Sequence, residues 1–388
     1  MIALLVLIYV TFISLGIPDS LLGAAWPAIR LEMGVPVAFA GIISPLTACG
    51  NVAASFLSAR MVARFGTARV TAFGVVLTAS GLLGFSAARA FPLFLVCAIP
   101  MGFGAGAIDA ALNNFVALHY KARHMNWLHC FWGVGATLGS AVIGAVLAAT
   151  NNWRVGYSSI GLAQGVLAAA LFCSLPAWKK AVGKNTAADK PRLLSVREVA
   201  RVPLAIPVFL SLFCCAGAES TMALWGASFL VSVRGIPQDV AASWASVFFL
   251  GITLGRFVAG LLSVKWNNAQ MIRIGAGCAL TGILLLLFPF PGWLPPVAFF
   301  LVGTGFAPLF PAMLHETPRI FGGTASQSIM GMQMAIAYVG MILLPPLFGA
   351  LSQGAGMPLF PWYLTAIMAA LCVTREYAQK KASARKLS

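Results

Sequence analysis

The sequence predicts an all-α polytopic membrane protein with twelve transmembrane helices in two six-helix repeats. Three observations predict this class: an extreme apolar composition, regularly recurring apolar runs, and basic residues confined to alternate loops. Of the 388 residues, 60% are hydrophobic and only 9% are charged, and the mean hydropathy is +0.91. A soluble domain could not bury so much apolar surface.

Apolar runs separated by turn residues or charges are long enough to cross a bilayer, which takes about 20 residues as a helix. Backbone polar groups in lipid need internal partners, so each run is expected to be helical. The first run lacks the basic start and the cleavage site of a signal peptide, and we interpret it as a membrane helix. The predicted spans are 2–27, 38–60, 68–88, 91–118, 126–149, 153–175, 204–232, 240–263, 269–290, 294–318, 326–349 and 357–374.

Lysine and arginine predict the orientation of these spans. When the loops are assigned alternately to two sides, twenty basic residues fall on one side and four on the other. Cytoplasmic loops are the basic ones. We therefore expect a multi-pass plasma (inner) membrane protein with both termini in the cytoplasm. The net charge of +16 does not indicate a nucleic-acid partner, because the basic residues lie in short loops.

One long polar stretch divides the chain into two sets of six spans. The predicted segments are an N-terminal six-helix bundle (1–175), a cytoplasmic linker (176–203), a C-terminal six-helix bundle (204–374) and a cytoplasmic tail (375–388). Glycines recur at equivalent places in the two sets, for example Gly135 and Gly340 at an offset of 205 residues. Such correspondence indicates an internal repeat.

The fourth span carries the most informative polar pair. Asp109 lies in mid-span, where a carboxylate must face protein or water, and Asn113 follows one helical turn later on the same face. Gly102 and Gly106 lie on that face too and would allow a neighbouring helix to approach closely. The alternative is that Asp109 only ties two helices together.

Two further acids, Asp19 and Glu219, lie well inside spans and are functional candidates by default. Asp19 could instead cap the outer end of the first helix. Glu219 stands near Trp225, and a carboxylate beside an indole suits a sugar, which offers hydroxyls and apolar C–H faces. Glu219 could instead pair with a basic residue, and Arg256 is the only one deep in a predicted span. For Arg256 we favour a structural role over pairing with a substrate.

Two motifs carry a resemblance to a known family. Ile108-Asp-Ala-Ala-Leu-Asn-Asn-Phe-Val116 is similar to the fourth-helix pattern of the fucose permease-like branch of the major facilitator superfamily. The glycine-rich segment 128–139 resembles the fifth-helix pattern of that branch, and the match extends over essentially the whole chain. The resemblance implies the major facilitator fold. It also implies that Asp109 takes part in proton coupling and that Asp19 is the first-helix acid.

The loop between the second and third spans also matches the superfamily, with one departure. Arg64 and Gly66 stand where the superfamily motif has them, but Ala63 replaces the usual acid. The resemblance assigns Arg64 and Gly66 to structure and gating, together with Arg256 in the equivalent loop of the second half. The usual cytoplasmic latch is built on the acid that Ala63 replaces, so the presence of this latch is in doubt.

Other polar and aromatic residues complete the predicted site. We expect Asn113 and Gln333 to reach the cavity, and Trp132 and Trp225 to serve as stacking platforms. His129, near the start of the fifth span, could relay protons at its accessible pKa or be an ordinary interfacial histidine. The cysteines fall within apolar runs without metal-ligand spacing, so no metal site is expected.

These observations predict a secondary transporter that moves a small polar solute, such as a sugar, by proton-coupled alternating access. No nucleophile, phosphate loop or metal cluster indicates an enzyme, and no cofactor is expected beyond the coupling proton. The expected partners are a small-molecule substrate and the lipid bilayer, with the protein as a monomer. The open alternatives are proton-coupled efflux of amphipathic compounds and a membrane sensor that does not transport.

Overall fold

The structure is a computed structural model, and it describes residues 2–35, 40–182, 194–236, 238–288 and 293–384. In these ranges the regular structure is fifteen α-helices and one 3₁₀ turn, which confirms the predicted all-α class. The helices are α1 (Ile2–Met33), α2 (Ala40–Phe65), α3 (Thr67–Ala87), α4 (Phe91–His119), α5 (Ala122–Thr150), α6 (Trp153–Cys173), α7 (Leu175–Val182), α8 (Val196–Arg201), α9 (Ala205–Arg234), α10 (Gln238–Leu262), α11 (Asn268–Leu285), α12 (Leu294–Phe306), α13 (Leu309–Phe321), α14 (Gly323–Ala355) and α15 (Phe360–Ala384), with the 3₁₀ turn at Met357–Leu359.

Nine helical segments in the described part of the chain are long and apolar enough to cross a bilayer. They are α1, α3, α4, α5, α6, α9, the pair α12–α13, α14, and α15 with its preceding turn. The other three predicted spans are helices as well, namely α2, α10 and α11. In α10 the apolar segment Val247–Leu262 is shorter than a full span, and α11 begins with polar residues that include Arg273.

The structure differs from the predicted spans at two places. The span 294–318 is broken between α12 and α13, because Pro308 has no N–H to donate one turn back and its ring opposes a continuous helix. The span 357–374 and the tail 375–388 are in fact one helix, α15, as far as Ala384. Part of the predicted linker (183–193) and the last four residues lie outside the described residues.

The chain forms two compact units. Unit 1 comprises Met1–Phe115, Leu128–Leu193 and Gly323–Gly331, and unit 2 comprises Val116–Trp127, Leu194–Gly322 and Met332–Ser388. The first turns of α14 group with unit 1, where Ser326 donates a hydrogen bond to Asn114. The predicted bundle boundaries at 1–175 and 204–374 stay a prediction.

Each unit contains the same glycine-mediated helix crossing. In unit 1, α1 and α5 touch at Gly16 and Gly135, and a Cβ on either glycine would overlap the backbone of the facing helix. In unit 2, α9 and α14 meet at Gly217 and Gly340 in the same way. Small residues permit such backbone contact between membrane helices. The equivalent crossings agree with two six-helix repeats.

Candidate functional site

A chain of hydrogen bonds links three buried polar side chains of unit 1. Asn113 Nδ2 donates to Asp109 Oδ1 at 2.7 Å and to the Asp109 carbonyl oxygen at 2.9 Å. Asn113 Oδ1 lies 3.0 Å from Nε2 of His129 on α5. All three side chains are buried, and Asn113 is completely so. The one-turn spacing on α4 thus brings Asp109 and Asn113 together as expected, and α5 adds the imidazole.

The amide of Asn113 fixes the direction of donation along this chain. Its NH₂ group faces the Asp109 carboxylate, so its carbonyl faces His129, which then donates through Nε2–H. When Asp109 is protonated, its O–H can donate to the Asn113 carbonyl oxygen if the amide group rotates by half a turn. The NH₂ group of Asn113 then donates to Nε2 of His129, which in this state carries no hydrogen. The three side chains Asp109, Asn113 and His129 can therefore form two hydrogen bonds in series whether Asp109 is charged or protonated.

A second polar contact in unit 1 joins the other predicted acid to α5. Trp132 Nε1 donates to Asp19 Oδ2 at 3.0 Å, across the close crossing of α1 and α5. The Asp19 side chain is exposed and Trp132 is half-buried. Asp19 and Asp109 also interact electrostatically. Helices α1, α4 and α5 therefore gather five of the predicted site residues: Asp19, Asp109, Asn113, His129 and Trp132.

The candidate site of unit 2 centres on an ion pair. Glu219 Oε1 on α9 lies 3.7 Å from Arg256 Nη2 on α10, and the two side chains are 24% and 6% exposed. This pairing is one of the two interpretations that the sequence left open for Glu219. A buried guanidinium requires such a partner. The Glu219 side chain is thus only partly buried, in contrast to that of Arg256.

Trp225 and Gln333 have defined partners inside unit 2. Trp225 Nε1 donates to the Pro345 carbonyl at 2.9 Å, and its ring packs edge-on against Phe348. Gln333 is completely buried, and its Oε1 accepts from Thr317 at 2.7 Å. The hydrogen bond to Pro345 and the contact with Phe348 hold the indole of Trp225 in one orientation, with its ring half-buried. A substrate contact for either residue stays a prediction.

The predicted gating motif forms the turn from α2 to α3. Gly66 has φ of +79° in this one-residue connection, a conformation that favours glycine. Arg64 is exposed and lies over the Phe65 ring at 5.4 Å. The geometry accounts for the glycine, while the gating role of Arg64 and Gly66 stays a prediction.

Sequence reasoning missed a buried ion pair in unit 2. Glu316 on α13 binds Arg375 on α15, both side chains are buried, and Arg319 lies 3.4 Å from the same carboxylate. The predicted spans placed Glu316 at a membrane edge and Arg375 in the tail. The spacing of Glu316 and Arg319, one turn apart, was the available signal.

No group of three or more potential metal ligands occurs in the residues that the structure describes. A helical membrane protein that gathers acids inside its bundles has the build of a secondary transporter. The family model described as Major Facilitator Superfamily matches residues 8–322, and the chain belongs to that family. It is therefore a multi-pass membrane transporter rather than an enzyme, of a family that works by alternating access.

Similar proteins cover 79% to 97% of the chain at low identity. An uncharacterized transporter, y4wD, of Sinorhizobium fredii is 25% identical over 354 residues, 89% of this chain and 90% of its own length. The glucose/mannose transporter GlcP of Bacillus subtilis is 22% identical over 329 residues, 79% of this chain and 77% of its own. The solved E. coli fucose:proton symporter FucP has a TM-score of 0.76 at 16% identity, covering 97% of this chain and 98% of that one, and shows the shared fold.

Proposed function

We propose that this transporter moves a small polar solute, a sugar or a chemically related metabolite, in symport with protons. The observation that carries the proposal is the buried chain Asp109–Asn113–His129. An acid in an apolar bundle gains a proton when its surroundings are dry and releases it when water enters. The rotating amide of Asn113 would give both states of Asp109 a satisfied hydrogen-bonding pattern.

The solute class is supported by chemistry in unit 2 and by the relatives. The accessible part of Glu219 can accept hydrogen bonds from hydroxyl groups, and such charge-assisted bonds contribute about 1.5–3 kcal/mol each. The half-buried indole of Trp225 can cover an apolar sugar face. GlcP is named for glucose and mannose, and FucP for fucose and protons.

The test separates coupling from binding. Purified protein in proteoliposomes is given an inward proton gradient, and accumulation of candidate sugars is compared with solute exchange at equal pH. We expect Asp109→Asn to abolish proton-driven accumulation and to keep exchange measurable, because the amide can bind hydrogen-bond partners but cannot carry a proton. Normal accumulation by this variant would exclude Asp109 as the proton carrier.

Glu198→Gln is the matched control. It removes the carboxylate of a residue in the capping box of α8 that is not one of the candidate transport residues, and accumulation should be unchanged. The alternative functions predict different results for the wild-type protein. An efflux transporter would export amphipathic compounds when a proton gradient is applied. A sensor would bind sugar without transporting it. Either result would replace the symport proposal.

A further inference from the structure

An open cleft of about 490 Å³ lies in unit 2, where α11 begins and α13 and α15 end. Its volume is in the range of small-molecule sites. The polar side chains that line it are three cations and three amides: Arg273, Arg319, Lys380, Asn267, Gln270 and Gln379. The candidate transport residues described above lie elsewhere, so the cleft needs its own explanation.

The surroundings of the cleft carry excess positive charge. Glu376 accepts two hydrogen bonds from Arg273, at 2.6 and 2.9 Å, and Glu316 is shared by Arg319 and the buried Arg375. Lys380 adds a further exposed cation on α15. Two carboxylates therefore face four cations, and Arg319 remains 52% exposed.

The amides of the cleft use their oxygens within the protein. Asn267 and Gln270 use their side-chain oxygens in a reciprocal capping box, which accepts the backbone N–H of Gln270 and of Asn267 at 2.9 and 3.0 Å. The oxygen of Gln379 accepts from Arg375 at 3.4 Å. Each amide thus keeps its NH₂ group for another partner. Together with the cations, these groups match a ligand that only accepts hydrogen bonds and carries negative charge.

We propose that this cleft binds the phosphate group of an anionic phospholipid. A phosphate diester accepts hydrogen bonds through anionic oxygens and has no N–H to offer. Helices α11, α13 and α15 belong to membrane spans, so their ends lie at the depth of the lipid headgroups, where basic clusters bind anionic lipids. A soluble phosphate compound shares the recognition chemistry but is not concentrated at that depth.

The experiment titrates the detergent-solubilised full-length protein with short-chain phosphatidylglycerol and measures its melting temperature. A ligand that binds the folded state raises this temperature, and we expect phosphatidylglycerol to act and phosphatidylcholine, with its cationic headgroup, not to act. Lys380→Gln should raise the half-saturating lipid concentration about five-fold, the effect of one basic residue near an anionic surface.

The sharper variant is Gln270→Glu. Glutamate keeps the capping box that starts α11, so the protein without lipid should melt as the wild type does. It replaces an NH₂ donor by a carboxylate, and the resulting repulsion should weaken phosphatidylglycerol binding about ten-fold or more. Lys265→Gln, which removes an exposed lysine outside the cleft, is the control and should bind as the wild type does.

Two results would overturn the proposal. If Lys380→Gln and Gln270→Glu respond to phosphatidylglycerol as the wild type does, the cleft is not the lipid site. If inorganic phosphate or glycerol phosphate raises the melting temperature in the same range and competes with the lipid, the ligand is a soluble phosphate compound.

Discussion

Asn113 is the residue through which Asp109 and His129 are connected. Asn113→Leu removes the hydrogen bond that each of them makes to the amide, and a buried polar group that loses such a bond costs about 1–3 kcal/mol. We expect proton-driven accumulation to fall and its pH profile to change, because the hydrogen-bonding state of His129 no longer follows that of Asp109. The measurement is sugar accumulation as a function of internal and external pH.

The neighbouring residue supplies the matched control for Asn113. Asn114→Leu breaks the hydrogen bond from Ser326, so it should lower thermal stability while the pH profile of accumulation is unchanged. If Asn113→Leu has the wild-type profile, the amide does not connect the acid with the imidazole, and His129 acts only in packing against Phe12.

Glu219 and Trp225 test the solute site of unit 2. Glu219→Gln should weaken sugar binding about ten-fold or more, since a charge-assisted hydrogen bond becomes a neutral one. Trp225→Phe keeps a ring and should cost less than Trp225→Ala. Equilibrium binding of a labelled sugar and the melting temperature are measured together. Normal binding with a lower melting temperature in Glu219→Gln would make Glu219 a partner of Arg256 only.

The sequence predicted contacts along one helix better than contacts between helices. The pairing of Asp109 with Asn113 follows from one helical turn, because that spacing fixes the relative positions of the side chains. The link from Asn113 to His129 depends on how α4 and α5 are rotated against each other, which no spacing within one helix determines. The bond from Trp132 to Asp19 was missed for the same reason.

At the scale of elements, an arginine caps the third helix of each repeat. Arg154 at the start of α6 donates to the carbonyl oxygens of Ser86 and Ala88, at 2.7 and 2.6 Å, where α3 ends. Arg234 at the end of α9 donates to the carbonyl oxygens of Leu286 and Phe288, just beyond α11. Helix C-termini leave such carbonyls unpaired and attract cations. The third helix of each repeat is therefore capped by an arginine, which comes from α6 in the first repeat and from α9 in the second.

The cap on α3 also predicts a pH dependence of stability. Hydrogen bonds from Arg154, and then from Trp153, hold the pKa of Glu32 below its ordinary value of 4.5. Since the folded state lowers this pKa, its contribution to stability is present above pH 4.5 and is lost as the pH falls through the folded pKa. We expect Glu32→Gln to melt with a weaker dependence on pH than the wild type in that acidic window.

The partner of Glu32 provides the control for this dependence. Arg154→Gln should flatten the same pH dependence of melting less completely than Glu32→Gln, because the bond from Trp153 to Glu32 remains, and the double variant should have the pH dependence of Glu32→Gln alone. The effect is expected to be small, since both side chains are partly exposed. An unchanged pH dependence in Glu32→Gln would assign the acidic loss of stability to other carboxylates.

Helix boundaries show what composition can and cannot predict. Each of the twelve predicted spans is helical, and nine segments of the described chain are long and apolar enough to cross a bilayer, because a crossing requires a long apolar stretch whatever the neighbours are. Composition did not predict which prolines interrupt a helix. Pro308 lies at the break between α12 and α13, whereas Pro100 lies inside the continuous helix α4. Composition also ended the last span at 374, because Arg375 is charged, although its ion pair with Glu316 keeps that position inside α15.

At the scale of the whole molecule, the asymmetry of basic residues has a clear exception. Four lysines and arginines fall on the side predicted to be outside, and two of these, Arg154 and Arg234, are bound to helix C-termini. Arg154 and Arg234 are needed for helix capping, so their positions give no information about the orientation of the protein in the membrane. On the side predicted to be cytoplasmic, Arg273, Arg319 and Arg375 are likewise held in ion pairs, so leaving out all such residues keeps a strong asymmetry of seventeen against two.

This asymmetry predicts that both termini and the linker 176–203 are cytoplasmic. A green fluorescent protein fused after Ser388 should fluoresce, and alkaline phosphatase at the same place should be inactive, since the phosphatase folds only outside the cytoplasm. The matched fusions after Ala90, between α3 and α4, should give the opposite pair of signals. Active phosphatase at Ser388 would invert the orientation. It would also place the proposed lipid-binding cleft on the outer face of the membrane.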